Sequence, residues 1–109
     1  LRFAPSLAII EGLLDRGAQV RAFDPKAMPK ARKILGRRIG YAKDPYELAR
    51  GSDCLLLVTE WNEFKEMDLA RIRRLMRQPV FVDGRNLCDP RAMQRMGFRY
   101  LAMGRNHSA

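Results

Sequence analysis

Residues 54–82 read CLLLVTEWNEFKEMDLARIRRLMRQPVFV. Two apolar runs flank a segment of helical spacing, and this triplet decides the fold. Cys54 to Thr59 is apolar on consecutive positions, the pattern of a parallel strand covered on both faces. Asp68 to Met76 carries Leu69, Ile72, Leu75 and Met76 on one stripe, three to four residues apart, as a helix packing by one face requires. Pro79 to Val82 is a second strand of the two-sided kind. A strand, a helix and a strand in this order form a parallel crossover unit.

The same alternation runs outward in both directions. Towards the N-terminus, Asp44-Pro45 opens a short capped helix through Arg50, stopped by Gly51. Ile39 to Ala42 is a weak strand, and Lys26 to Leu35 a short basic helix with Asp24 as its cap. Gln19 to Phe23 reads as a strand. Ser6 to Arg16 has Leu7, Ile10, Leu13 and Leu14 at helical spacing, Pro5 at its start and Gly17 at its end. Towards the C-terminus, Asp89-Pro90 caps a helix through Met96, Gly97 ends it, and Phe98 to Met103 is the last strand. The order predicts an α/β, Rossmann-like, three-layer parallel sheet with helices on both faces. It begins with a helix where such folds begin with a strand. The first strand is therefore expected to be missing by truncation, and Leu1 in place of Met also suggests a fragment.

Bulk composition narrows the function classes. The chain has 109 residues, enough for one domain. No apolar run approaches the ~20 residues of a membrane helix, and no signal peptide opens the chain. The net charge is +9 and the pI about 10.4. Such a balance suits nucleic acid, or anionic small ligands and solvated faces. The cations are spread along the chain without interleaved stacking aromatics, and no nucleic-acid-binding motif is present, so nucleic acid is the disfavoured partner. Cys54 and Cys88 form no CxxC pair. Cys54, leading an apolar strand, is expected to be a buried small hydrophobe, and free thiols point to the cytoplasm.

Ligands of open α/β sheets sit beyond the carboxyl ends of the strands. Those ends are Asp24-Pro25, Thr59-Glu60-Trp61, Asp83-Gly84-Arg85-Asn86 and Gly104-Arg105. The third is the most informative. Gly84 allows a tight turn or a close backbone approach, and Arg85 offers a planar fork suited to phosphate. A bound anion and a solvated turn arginine are both open readings. Asp24 is either a helix cap or an acid holding a ribose hydroxyl, and the cap is preferred because no GxGxxG is present. Trp61 and Phe64 either wall a ligand or cover the sheet end, with packing preferred. His107 lies in a frayed end. No catalytic constellation and no metal-ligand cluster emerges from the residues.

At these strand ends the chain resembles the UDP-glucose dehydrogenase family. Arg2-Phe3-Ala4-Pro5-Ser6 is similar to its RxxPS segment, and Gly17-Ala18-Gln19-Val20 with Phe23-Asp24-Pro25 to GAxVxxxDP. Val58 to Phe64 resembles VTEWxEF, Val82 to Asn86 resembles xDGRN, and Met96 to Tyr100 with Met103-Gly104-Arg105 resembles MGFxYxxIGR. These matches run in order from Arg2 to Arg105. The TEW and DGRN pair points to UDP-glucose over GDP-mannose or UDP-N-acetylmannosamine.

The resemblance implies a UDP-sugar-binding C-terminal domain over residues 1–105, with 106–109 a tail. Its parent enzyme would oxidise UDP-glucose to UDP-glucuronate with NAD, which is bound mainly by an N-terminal domain absent here. Arg85 would contact the UDP-sugar and Arg2 would reach toward NAD. Neither cysteine matches the family's GGxCxPKD nucleophile segment, so no catalytic residue is assigned and the chain alone is expected to be inactive. The preceding GxAFKxxTxD strand and loop is also unmatched. Expected partners are the UDP-sugar and the remainder of a homodimeric parent. The alternative is a stand-alone basic α/β binding module for an anionic ligand or nucleic acid.

Overall fold

The computed structural model describes residues 3–58 and 66–103. Helices and short parallel strands alternate along the chain, which is a mixed α/β fold. Two compact units divide it, 1–48 and 49–109.

The first unit opens with α1 (Phe3–Asp15). Leu7, Ile10, Leu13 and Leu14 are half-buried on it and Ser6 is buried. The helix starts three residues ahead of Ser6, because proline is tolerated in a first turn. It ends in a Schellman motif: the Gly17 N–H donates to Leu14 O and the Ala18 N–H to Leu13 O, both at 3.0 Å. Gly17 has φ of +88°, a value glycine adopts without strain. β1 (Arg21–Ala22) and β2 (Gly40–Tyr41) pair in parallel, Arg21 opposite Gly40. Between them lie α2 (Met28–Leu35) and a 3₁₀ turn over Gly36–Arg38 that the sequence pattern did not anticipate. Ala31, Leu35, Ile39 and Ala42 are buried. The Tyr41 hydroxyl donates to Gly36 O at 2.8 Å, and Arg32 lies 4.3 Å from the centre of the Tyr41 ring. Arg38 pairs with Glu11, through Nη1 to Oε2 at 3.0 Å and through Nη2 to Oε1.

Helix α3 (Pro45–Ala49) starts in a reciprocal cap. Asp44 Oδ1 accepts from the Glu47 N–H at 2.7 Å, while Glu47 Oε1 accepts from the Lys43 N–H at 2.8 Å. The arrangement is related to a capping box, with aspartate as the cap and the glutamate taking the N–H of the residue before it.

The second unit is built on three parallel strands, β3 (Leu55–Leu57), β4 (Val80–Asp83) and β5 (Arg99–Ala102), in the order β3-β4-β5. Leu55 faces Phe81, and Phe81 faces Tyr100. Within this three-stranded sheet the middle strand is β4. Accordingly Phe81 is wholly buried and Leu55 to Leu57 are half-buried. Helix α4 (Leu69–Leu75) is capped by Asp68, which accepts from the Arg71 N–H at 3.0 Å, and it buries Ile72, with Met76 buried just beyond it. Helix α5 (Pro90–Arg95) is capped by Asp89 and buries Met93. Phe81, Phe98 and Tyr100 form an aromatic group. The Phe81 and Phe98 rings meet edge to face at 5.6 Å, and Phe81 and Tyr100 lie 6.1 Å apart. The turn before β3 is tied to the segment after α4. Asp53 takes a two-pronged bond from Arg77, at 2.6 and 2.9 Å, and Ser52 O accepts from the Arg77 N–H at 2.7 Å. That pair holds the Asp53 carboxyl below its usual range.

Cys54 is exposed, which corrects the expectation of burial. It lies ahead of the first residue of β3 that pairs with β4. Partial desolvation still pushes its thiol up from the ordinary range. Cys88 is the buried cysteine.

Candidate functional site

Parallel pairing points the carboxyl ends of β3, β4 and β5 the same way. The loop Gly84 to Asp89 follows the middle strand and lies between the ends of its two neighbours. Its geometry is set by Asp83, the last residue of β4.

Asp83 is wholly buried. Its Oδ1 accepts from the Arg85 N–H at 2.9 Å. Its Oδ2 accepts from the Leu87 N–H at 2.8 Å, the Cys88 N–H at 2.9 Å and the Tyr100 hydroxyl at 2.7 Å. A buried carboxylate is costly unless donors surround it. Here desolvation pushes the carboxyl up, and the bonds from Tyr100, Cys88 and Arg85 outweigh it, so the group is held below its ordinary value. Asp83 is an anion at neutral pH, and the loop is wrapped around it.

Gly84 fixes the base of the loop. Its N–H donates to Leu57 O at 2.7 Å, extending the β3–β4 ladder by one rung. A Cβ at this position would lie 3.0 Å from that same oxygen, so a side chain fits only if the end of β3 gives by a few tenths of an ångström. The Met103 N–H donates to Asp83 O at 3.0 Å and ties the end of β5 to the other side. Asn86 has φ of +57°, in the left-handed region where asparagine is among the few tolerated residues. Arg85, Asn86 and Leu87 are exposed, and Cys88 returns the chain to the core.

This arrangement limits what the loop can do. Many anion sites are nests of backbone N–H groups. The N–H groups of Arg85, Leu87 and Cys88 are turned onto Asp83, so an anion here would be held by side chains. The guanidinium of Arg85 is the cationic group that the loop itself carries, and its planar fork matches phosphate.

Asp24 ends as a cap for a turn. Its Oδ1 accepts from the Lys26 N–H at 3.0 Å and the Ala27 N–H at 3.2 Å, and its carbonyl from the Met28 N–H at 3.1 Å. The helix proper starts later, at Met28, with Pro29 in its first turn. The strand end before Asp24 also lacks a glycine-rich turn. This strand end thus has the form of a helix entry and not of a glycine-rich dinucleotide turn. Arg2, Thr59 to Phe64, Gly104-Arg105 and His107 lie outside the described residues. Among the described residues no group of three or more His, Cys, Asp or Glu side chains could hold a metal ion, and no helix is long and apolar enough to cross a membrane.

The sequence singles out Gly84 and Arg85 at this strand end and gives no sign of the organising roles of Asp83 and Tyr100. An aspartate at a strand end followed by glycine is a turn signal. The partner on β5 leaves no local trace.

Residues 1–90 match the model of the UDP-glucose/GDP-mannose dehydrogenase family, UDP binding domain. The chain belongs to this family. It is 44% identical over 105 residues to the UDP-glucose 6-dehydrogenase TuaD of Bacillus subtilis (strain 168), covering 96% of this chain and 23% of that protein. It is 40% identical over 105 residues to the UDP-glucose 6-dehydrogenase of Rhizobium meliloti (strain 1021), covering 96% and 24%. The chain thus spans about a quarter of the length of these relatives. A solved UDP-D-ManNAc dehydrogenase from Pyrococcus horikoshii shares the fold, with a TM-score of 0.55, 19% identity, and coverage of 94% of this chain and 30% of that one.

Proposed function

We propose that residues 1–105 form the C-terminal UDP-sugar-binding domain of an NAD-dependent UDP-glucose 6-dehydrogenase. The observation that carries this reading is the 40% to 44% identity over 96% of the chain to enzymes of that name. In it, UDP-glucose lies against the carboxyl ends of the second unit's strands, and Arg85 binds it as an anion. Arg2 reaches toward NAD, which is held by a domain outside this chain. The whole enzyme passes two hydrides from UDP-glucose to two NAD and releases UDP-glucuronate. It acts in the cytoplasm as a homodimer. The chain by itself binds UDP-glucose weakly and oxidises none of it.

Steady-state kinetics of the intact enzyme carrying Arg85→Ala tests the assignment. Loss of one charge-assisted hydrogen bond costs about 1.5–3 kcal/mol. The Michaelis constant for UDP-glucose should therefore rise roughly 10- to 150-fold. Unchanged Michaelis constant and turnover would remove Arg85 from the site. NADH production by the purified 109-residue chain alone would overturn the division of labour.

A further inference from the structure

We propose that Tyr100 is a positioning residue for Arg85: its hydroxyl, bound to the buried Asp83 carboxylate, holds the 84–88 loop in the form that presents the guanidinium. The inference rests on the reading of Arg85 as a UDP-sugar ligand. It concerns a residue on a different strand, 17 positions away in the chain from Asp83.

Three observations carry it. The first is the distribution of donors. Asp83 Oδ1 serves only the Arg85 N–H among the bonds resolved, whereas Oδ2 serves Leu87, Cys88 and Tyr100. The three amide donors belong to the loop itself and move with it. The Tyr100 hydroxyl comes from the neighbouring strand, so it is the donor that ties this carboxylate, already rooted in β4, to β5. The second is the rigidity of the donor. Tyr100 lies in the β5 ladder opposite Phe81, and its ring packs against Phe81, which is wholly buried. A ring held at its base and along one side presents its oxygen at a defined height above the sheet. The third is a second bridge from the same oxygen. Tyr100 Oη lies 3.4 Å from the Cys88 carbonyl, at the far end of the loop. The shorter contact, 2.7 Å, is to a charged acceptor and takes the hydroxyl proton. One oxygen thus faces both the carboxylate at the start of the loop and the residue that closes it.

Without this hydroxyl the carboxylate would keep its amide donors, and the loop would keep its turns. What it would lose is the side-chain tie to β5 that sets the tilt of the carboxylate, and with it the position of the amides gathered on it. Arg85 is linked to Asp83 by its own backbone N–H, so a swing of the carboxylate moves the arginine with it. A displacement of about 1 Å can cost 10²-fold where a charged group must meet its partner in a fixed geometry. Removal of an oxygen atom far from the ligand is thereby felt at the guanidinium.

The test uses the intact protein that carries this chain, with UDP as the probe in calorimetry and amide hydrogen exchange measured without ligand. Tyr100→Phe should speed exchange of the Arg85, Leu87 and Cys88 amides about tenfold or more, with β4 amides unaffected. It should weaken UDP binding about tenfold. The same substitution in an Arg85→Ala background should weaken UDP no further, because the effect passes through that side chain. Equal weakening in both backgrounds would overturn the proposal, as would unchanged exchange of the three loop amides. If Arg85→Ala alone leaves UDP affinity intact, the ligand role of Arg85 fails instead, and the proposal falls with it even where the loop amides respond. A Tyr100→Phe protein that unfolds is replaced by one carrying O-methyltyrosine at position 100, which keeps the ring and its oxygen but cannot donate to Asp83. Faster exchange of the three loop amides and weaker UDP binding in that protein support the proposal, and parental exchange or parental affinity overturns it.

Discussion

The Gly84 amide lies against the Leu57 carbonyl, with the N–H donating across 2.7 Å and no room for a Cβ closer than 3.0 Å to the same oxygen. Leu57 O is held in a ladder and cannot retreat as a flexible side chain would. Gly84→Ala is therefore expected to force the ends of β3 and β4 apart. Overpacking of this kind costs about 1–3 kcal/mol. Urea denaturation should show a lower midpoint with an unchanged slope. A midpoint equal to that of the parent sequence would show that the two strand ends adjust freely.

Gly12 is the contrasting case. It is exposed within α1, and a Cβ there meets nothing within 4 Å. Gly12→Ala should stabilise the chain by about 0.5–1 kcal/mol through helix propensity. Thermal melting of the pair reads the difference, and destabilisation by alanine would mean that something covers this face of the helix.

Asp83 gives stability a pH dependence of known sign. Its folded carboxyl is held below the ordinary value of 3.8. The stabilisation is complete above the unfolded value of about 3.9 and is lost as the pH falls through the lower folded value. Asp83→Asn places an amide where the Arg85 N–H needs an acceptor, at a cost of about 1–3 kcal/mol near neutrality. The gap between the two proteins should be constant from pH 7 to about pH 5 and should narrow below about pH 4. Denaturation at a series of pH values measures it. A gap that widens in acid would mean that folding raises the carboxyl above its unfolded value instead of lowering it.

The cap of α3 should matter more than the nearby surface pair. Asp44→Ala removes one half of a reciprocal cap and should cost about 0.5–2 kcal/mol. Arg77→Ala breaks a well-formed pair to Asp53, but both side chains are more than half exposed. Its effect should be small and should vanish in molar salt. Equal losses from the two substitutions, read by urea denaturation in low and high salt, would contradict this ranking.

The elements most legible in the sequence were those whose signals are local. Leu69, Ile72, Leu75 and Met76 trace one face, and α4 forms there with Ile72 buried. Gly17 marked the end of α1, and the Schellman bonds of Gly17 and Ala18 follow it. Asp89 caps the helix it precedes, as Asp89-Pro90 signals. What was not legible depends on pairing between distant residues. The run Leu55 to Val58 reports apolar character and says nothing of which strand lies on either side. The same limit applies to Cys54, whose burial would need a neighbour before the ladder begins. Residues 36–38 form a 3₁₀ turn out of glycine and two arginines, where no apolar spacing exists to read. At the candidate site the strand end and its arginine were visible, because glycine and arginine announce a turn and a fork. The buried aspartate looked like another loop residue, since its fourth donor arrives from β5.

The inward turn of the loop amides separates a mount from a rim. Asp83 gathers the backbone from beneath, so the shape of the loop is inherited from the sheet and owes little to its tip. Asn86 is confined by its left-handed backbone to a few residue types. Leu87 is 43% exposed and carries no such constraint. It is the position where identity can drift, or be exchanged by design, to alter what lies beside the guanidinium while the guanidinium stays where it is.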